Sequence, residues 1–539
     1  MTGSITLENI FGVNKMELIS LKYAIFVIVL LVLYYCFPKK YRWYVLLAGS
    51  MAYYVIICKW YVLFIIFTIC TTYGSTIWID KLLKEQNAIV KSHKEDWDRQ
   101  TRKEYKEKGR KKRVAVMLFA LLCNFGILAF LKYIPYAGEL GLLLPLGISF
   151  YTFQSMGYVM DVYREIVEPE KNFFKVALFV SFFPQIIQGP IAIYDKFAGQ
   201  LYEGHSLRLE NLQKGALLVL WGVMKKLVIA DRAVNIINFV MDKPMDFSGT
   251  YVFFAAVVYA LQLYADFSGG IDIVRGIAEM FGITMSTNFN HPYFSRSLTE
   301  YWHRWHMTLG DWCRNYIFYP LSISKRFLNF GKWLKPRFGA HISKVLPGCI
   351  ASVITFIVIG VWHGANMKYL YFGLWNGIVI MLAELFAPVN KKVAGGFFKL
   401  TGLREKGIFA TIISVLWTFM LILVGYYFDI AANASTAFHM LFKSVTDFHI
   451  GELGINNIIL NLGACGLDEY DILLLIICTL LWFFISFVEE NKKLDMRDFI
   501  LSRKLPLRWA IIYLGIFIVI IFGYYGPGVN PADFVYMQF

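Results

Sequence analysis

Thirteen apolar runs alternate with polar segments along the chain, near 21–37, 43–58, 61–79, 114–132, 141–160, 173–190, 212–230, 249–266, 346–362, 369–387, 407–428, 471–488 and 508–525. A helix needs about 20 apolar residues to cross the hydrocarbon core of a bilayer. Several runs approach or exceed that length; others are shorter or are broken by Pro and Gly. The pattern predicts an all-α, multi-pass transmembrane fold with roughly eleven crossings. The remaining apolar segments are expected to be re-entrant or interfacial helices. Helices are required because backbone facing lipid must satisfy its hydrogen bonds within its own segment. The first run lacks a basic leader and a small-residue cleavage site, so it is expected to be a retained span. The mixed-charge stretch 81–113 favours helix and reads as a solvated surface helix.

Composition agrees with this pattern and narrows the partners. Hydrophobic residues make up 58% of the 539 positions and aromatics 17%. The formal net charge is +15, but the basic residues gather in loops between apolar runs. Segments 38–42, 81–113, 324–338, 390–406 and 491–504 are all basic and should lie in the cytoplasm, beside anionic lipid. Membrane lipid, not nucleic acid, is therefore the partner the charge implies. The last run then starts inside and ends outside, which puts the tail "GPGVNPADFVYMQF" and region 430–465 on the extracytoplasmic side of a plasma or inner membrane. The eight cysteines show no CxxC pair and no disulfide framework. With no repeat and no separate soluble domain, the chain is expected to be one membrane domain, 1–539. Residues 1–140 would supply N-terminal spans, 141–390 a catalytic core, and 391–539 further spans and the tail.

Polar residues inside such a chain mark sites, because they are costly in lipid unless paired or used. The densest cluster is 264–321, which holds Asp266, His303, Trp305 and His306 among many charged groups. Within "EYWHRWHMTLGDW", continuous helix would put Trp302, Trp305 and Leu309 on one face and His303 and His306 on one turn. Three readings stand for that pair: a metal site near Cys313, histidines satisfied in an aromatic interior, or a place for an acyl donor or acceptor. No further Cys/His pair completes a familiar ligand set, so no metal is expected. His363 ends an apolar run at "VWHGANMKYLYFGLWNG". Gly364 after it allows a turn or a close approach. Asn366 and Asn376 are near enough in sequence to orient a ring nitrogen or a substrate, and Trp362 adjoins. Histidine suits proton transfer near neutrality. Pro and Gly in "LPLGISFYTFQSMGYVMDVYRE" and "SFFPQIIQGPI", the latter carrying Gln188, predict broken or kinked helices. No GxSxG elbow, P-loop or dinucleotide fingerprint occurs, which argues against hydrolase, ATPase and dehydrogenase chemistry.

Taken in order from about residue 140, these segments resemble the membrane-bound O-acyltransferase family. With them go "GVMKKLVIAD" (222–231) and the terminal "FVYMQF". The similarity is to the alginate O-acetyltransferase-like bacterial branch. The resemblance implies helices around a central funnel, His363 as catalytic histidine and His306 as second functional position. It also implies acetyl transfer from a cytoplasmic thioester, acetyl-CoA or an acyl carrier, for O-acetylation of an extracellular or cell-wall polysaccharide. No tightly bound cofactor is implied. An extracytoplasmic SGNH-type acetyltransferase would be the partner. The tail, F-x-Y-x-x-F, resembles a motif of the family's D-alanyl system, and that resemblance implies Tyr536 as a candidate acyl relay, with Phe534 and Phe539 as anchors in an apolar groove. Asn366, Asn376, Trp362, Trp305, Asp266 and Gln188 would line the site. Rival readings are a D-alanyl transferase of teichoic-acid type and a non-enzymatic transporter or scaffold.

Overall fold

The structure is a computed structural model that describes residues 18–134, 138, 142, 144–401, 404, 407–454, 457, 465–525 and 534, with backbone alone at 397–400. Every regular element among the described residues is a helix. Seven helical stretches there are long and apolar enough to cross a membrane, or eight if Met367–Leu385 and Ala387–Gly396, bent by 69° at their junction, count as one span. Shorter apolar helices cover Leu21–Cys36 and Phe173–Gln188. The roughly eleven expected crossings are thus not reached by length and apolarity alone. One reason is that runs 43–58 and 61–79 join in a single stretch, Lys39–Ser92, with Lys59 at φ 49° between its two helices. Large apolar side chains face outward along the stretches, such as Leu122 at 74% and Trp417 at 66% exposed. Such surfaces suit lipid, and the chain is a multi-pass membrane protein.

Contacts gather into two compact units, residues 1–216 with 274–286, and 217–273 with 287–539. This division crosses the three segments expected from sequence. In the first unit, Val62–Ser92 and Arg99–Tyr133 pack side by side. Stretch 81–113 is largely the polar continuation of these two helices, and Asp98 caps the second by accepting from Thr101 N at 2.9 Å. Helix Ile148–Tyr163 is buried over nearly its whole length. It starts at Gly147, whose φ of 70° and contact with the Ile186 carbonyl leave no room for a Cβ. The expected break at 181–191 appears as a six-residue helix, Phe183–Gln188, with Pro184 in its first turn.

In the second unit, helix Lys325–His363, broken at Gly339 (φ 79°), packs along Met367–Leu385. Gly360 lies against the Tyr369 carbonyl and Gly373 against the Phe356 carbonyl. A side chain at either position would push the helices apart, so small residues set their spacing, as is common between membrane helices. Helices Ile408–Ile430 and Ala434–Thr446 complete a core that includes Tyr251, Phe372, Tyr427, Phe428 and Met440.

Candidate active site

The second unit encloses a cavity of about 20 Å³, room for about one water-sized group. His306 and His363 both line it, with Tyr301, Trp302, Trp305, Asn376, Tyr426 and Asp429. Leu263, Leu309, Ile359, Phe372 and Ile422 supply the apolar remainder. Side chains more than fifty positions apart in the chain thus meet at one point.

His306 reaches the cavity through a broken helix, which corrects the continuous helix expected at 300–312. Leu298–Arg304 stops, His306 takes φ 44° and ψ 52°, and Met307–Cys313 starts anew. A left-handed non-glycine residue costs of the order of 1–3 kcal/mol and persists only where its surroundings hold it. Asn288 does so. Its side-chain oxygen accepts from Thr308 N at 3.1 Å and from Thr308 Oγ1 at 2.6 Å, and its carbonyl accepts from Met307 N at 3.0 Å. The break also separates the histidines once placed on one turn. His306 is buried against Phe267, with ring centres 4.9 Å apart. His303 is exposed and meets Arg314 Nη2 at 2.9 Å. Burial, and next the neighbouring His363, push the His306 imidazole down to about 3, so that ring is neutral at ordinary pH.

His363 ends its helix, half-buried, with Gly364 extended behind it. A Cβ at Gly364 would strike the Tyr369 ring at 2.6 Å. That close approach lets Tyr369 stack on His363, centroids 5.9 Å apart, while Phe372 meets it edge-on at 5.5 Å. Trp362 is buried next to both histidines, 5.0 Å from the His363 ring and 6.4 Å from that of His306. Asn376 lies on the cavity wall. Its Oδ1 accepts from Trp302 Nε1 at 2.9 Å, and its Nδ2 donates to the Phe372 carbonyl at 2.9 Å. Those bonds orient the indole and the amide together.

The other expected site residues lie elsewhere. Asn366 caps helix Met367–Leu385, accepting from Lys368 N at 3.1 Å and donating to the Ala432 carbonyl at 3.2 Å. Asp266 is fully buried in an ion cluster: Lys226 Nζ lies 2.7 Å from it and 2.8 Å from Asp231. Lys226 sits on a π-helical turn, Lys225–Ala230. Gln188 belongs to the first unit, is fully buried, and neither atom of its amide finds a partner among the described residues. Such an orphan needs a water or a ligand group. Tyr536 and Phe539 lie outside the described residues. Phe534 is described and buried, with Lys226 Nζ 4.5 Å above its ring. It therefore sits beside an ammonium, not in a wholly apolar groove. The chain before it is held too, by Tyr524 N donating to the Leu227 carbonyl at 2.9 Å and Arg232 Nη1 to the Phe522 carbonyl at 3.0 Å.

Sequence reasoning missed Asp429. It ends an apolar run and reads as the first polar residue of a loop, yet it is the acidic side chain on the cavity wall. Asn288 was also passed over. Its signal, an asparagine in "MSTNFNHP" upstream of a second helix start, identifies no partner.

Residues 169–335 match the model of the membrane-bound O-acyltransferase family. The match includes His306 and ends before His363. The chain is 29% identical over 314 residues to a peptidoglycan O-acetyltransferase of Helicobacter pylori, covering 51% of this chain and 56% of that protein. It is 30% identical over 315 residues to the probable alginate O-acetylase AlgI of Pseudomonas syringae pv. tomato, covering 58% and 54%. A teichoic acid D-alanyltransferase of Bacillus subtilis is 26% identical over 288 residues, covering 52% and 67%. The chain spans about half the length of the two O-acetyltransferase relatives it matches.

Proposed function

We propose that this chain, which belongs to the membrane-bound O-acyltransferase family in its alginate O-acetylase-like branch, moves an acetyl group from a cytoplasmic thioester across the membrane toward a polysaccharide. The observation that carries the reading is the meeting of His306 and His363 on one cavity inside a membrane-spanning unit. The names of the two O-acetyltransferase relatives support acetyl transfer to a polymer over D-alanyl transfer.

His363 is the general base. It takes the proton of an attacking hydroxyl as that oxygen adds to the thioester carbonyl. The tetrahedral intermediate then collapses, the C–S bond breaks, and the thiolate recovers the proton from the imidazolium. One ester and one thiol result. His306, held neutral by burial, positions the carbonyl or the acceptor and stays uncharged through the cycle. The cavity has room for about one water-sized group, so the two substrates must part the aromatic walls when they enter. Acetyl-CoA suits the basic cytoplasmic loops, which attract its phosphates.

The attacking oxygen is that of Tyr536 in this reading. Its acetyl ester would then pass to a sugar hydroxyl on an extracytoplasmic SGNH-type transferase, releasing the phenol. Support comes from the buried seat of Phe534, two positions before it. The C-terminus is extracytoplasmic on the same reading. Purified protein in liposomes, given labelled acetyl-CoA, should consume the thioester. A D-alanyl-loaded carrier that is used while acetyl-CoA is not would favour the rival acyl group. Flux of a solute without thioester loss would favour a transporter.

A further inference from the structure

When His363 accepts a proton, a positive charge forms in a cavity walled by aromatic and aliphatic side chains. Such a charge is costly unless an opposite charge faces it. From the geometry, and resting on the acyltransfer reading above, we infer that Asp429 is the counter-ion of the His363 imidazolium and a positioning residue for the reaction.

Three observations support this. Asp429 is the acidic side chain among the residues lining the cavity. One carboxylate oxygen, Oδ2, accepts from Tyr259 OH at 2.7 Å, which fixes the rotamer. Among the described residues Lys368 is the cation whose charge acts on Asp429. Lys368, close by, directs its ammonium to the backbone carbonyls of Asp429 and Ala431, at 2.8 and 2.7 Å, where it closes the end of helix Ile408–Ile430. A buried carboxylate is normally paired with a cation. Within the cavity that both side chains line, the imidazolium of the working cycle is the further cation that can face the carboxylate.

Among the described residues that line the cavity or stack on the ring, the other side chains are uncharged. His306 is neutral. Tyr301 and Tyr426 share a hydrogen bond at 2.7 Å. Tyr369, stacked on His363, carries the Lys368 ammonium over its own ring at 4.8 Å. An opposite charge within about 4–6 Å favours the charged form of a histidine by about 1–3 pH units. Removing the Asp429 charge should therefore lower the His363 pKa and make it a weaker base.

The test compares the full-length protein with Asp429→Asn, Asp429→Glu and Tyr259→Phe. Diethylpyrocarbonate modification of the peptide carrying His363 is followed by mass spectrometry across pH, which reads the imidazole directly and needs no turnover. In Asp429→Asn the midpoint should fall by about one pH unit or more, while Asp429→Glu and Tyr259→Phe keep the negative charge and a midpoint near wild type. In the acetyl-transfer assay, the acid limb of Asp429→Asn should move down by the same amount. Its kcat should fall about tenfold or more, with the thioester KM little changed. A His363 midpoint that does not move in Asp429→Asn overturns the inference. Wild-type protein that consumes no acetyl thioester overturns the acyltransfer reading instead, and the modification midpoint still decides whether the two side chains are electrostatically paired.

Discussion

Replacing Lys226 with methionine would leave Asp231 and Asp266 with no cation between them. Both carboxylates have side chains at 0% exposure, and the Lys226 ammonium, itself 3% exposed, lies 2.8 and 2.7 Å from them. Methionine keeps the volume and removes the charge. Breaking a buried ion pair on one side typically costs about 3–5 kcal/mol, because the remaining charge is uncompensated. Here two carboxylates lose one shared cation, so the upper part of that range applies. The Phe534 ring loses its cation as well, a further contribution of about 0.5–2 kcal/mol. At about 2–4 °C per kcal/mol for a large domain, the melting temperature in detergent should fall by roughly 10 °C or more. The assay is intrinsic-fluorescence melting, paired with limited proteolysis of the C-terminal peptide, which should be cut faster. Adding Asp266→Asn should return part of the loss, since it removes one of the two charges that Lys226 faced. A Lys226→Met protein that melts like wild type and keeps its tail protected would refute the view that this cluster is a buried ionic anchor.

Other perturbations reach the site itself. Gly373→Val forces a side chain into the Phe356 carbonyl, so it should cost about 1–3 kcal/mol on melting and lower transfer more steeply, by displacing the helix end that carries His363. The depressed pKa of His306 makes the folded protein bind fewer protons than the unfolded chain below the ordinary histidine value of about 6.5. That stability is present above pH 6.5 and is lost as pH falls, by about 1.4 kcal/mol per unit. His306→Gln should flatten the decline between pH 6.5 and 5 in a melting series. Tyr536→Phe should leave melting unchanged and stop delivery of label to polysaccharide; full acylation by that variant would remove the relay.

Much of this architecture can be read from the chain, and the unread parts share a cause. His363 stands out because an apolar run ends in Trp-His-Gly, where local pattern alone marks an unusual polar group. The pairing of His306 with it depends on a left-handed residue and on an Asn288 bond across the chain, neither of which has a periodic signature. Asp266 is visible as a carboxylate in an apolar run, but its partner Lys226 is forty positions away and sits on a π-helical turn. Asp429 looks like a loop boundary because its apolar neighbours hide which way it faces. Asn366 illustrates the converse. Its place before "MKYLYF" is a helix-start signal, and the structure shows the cap it makes. Span number is the least legible feature, since short apolar helices and long joined ones give similar hydropathy.

The central claim is that the imidazole at 363 drives transfer from an inside donor to an outside acceptor. Vesicles carrying the wild-type protein or His363→Ala, with labelled acetyl-CoA confined to the cytoplasmic side, test it most directly. Wild type should deliver label to acceptors outside, and His363→Ala, folded by its melting curve, should deliver none above background. Delivery by His363→Ala at the wild-type rate would contradict the account.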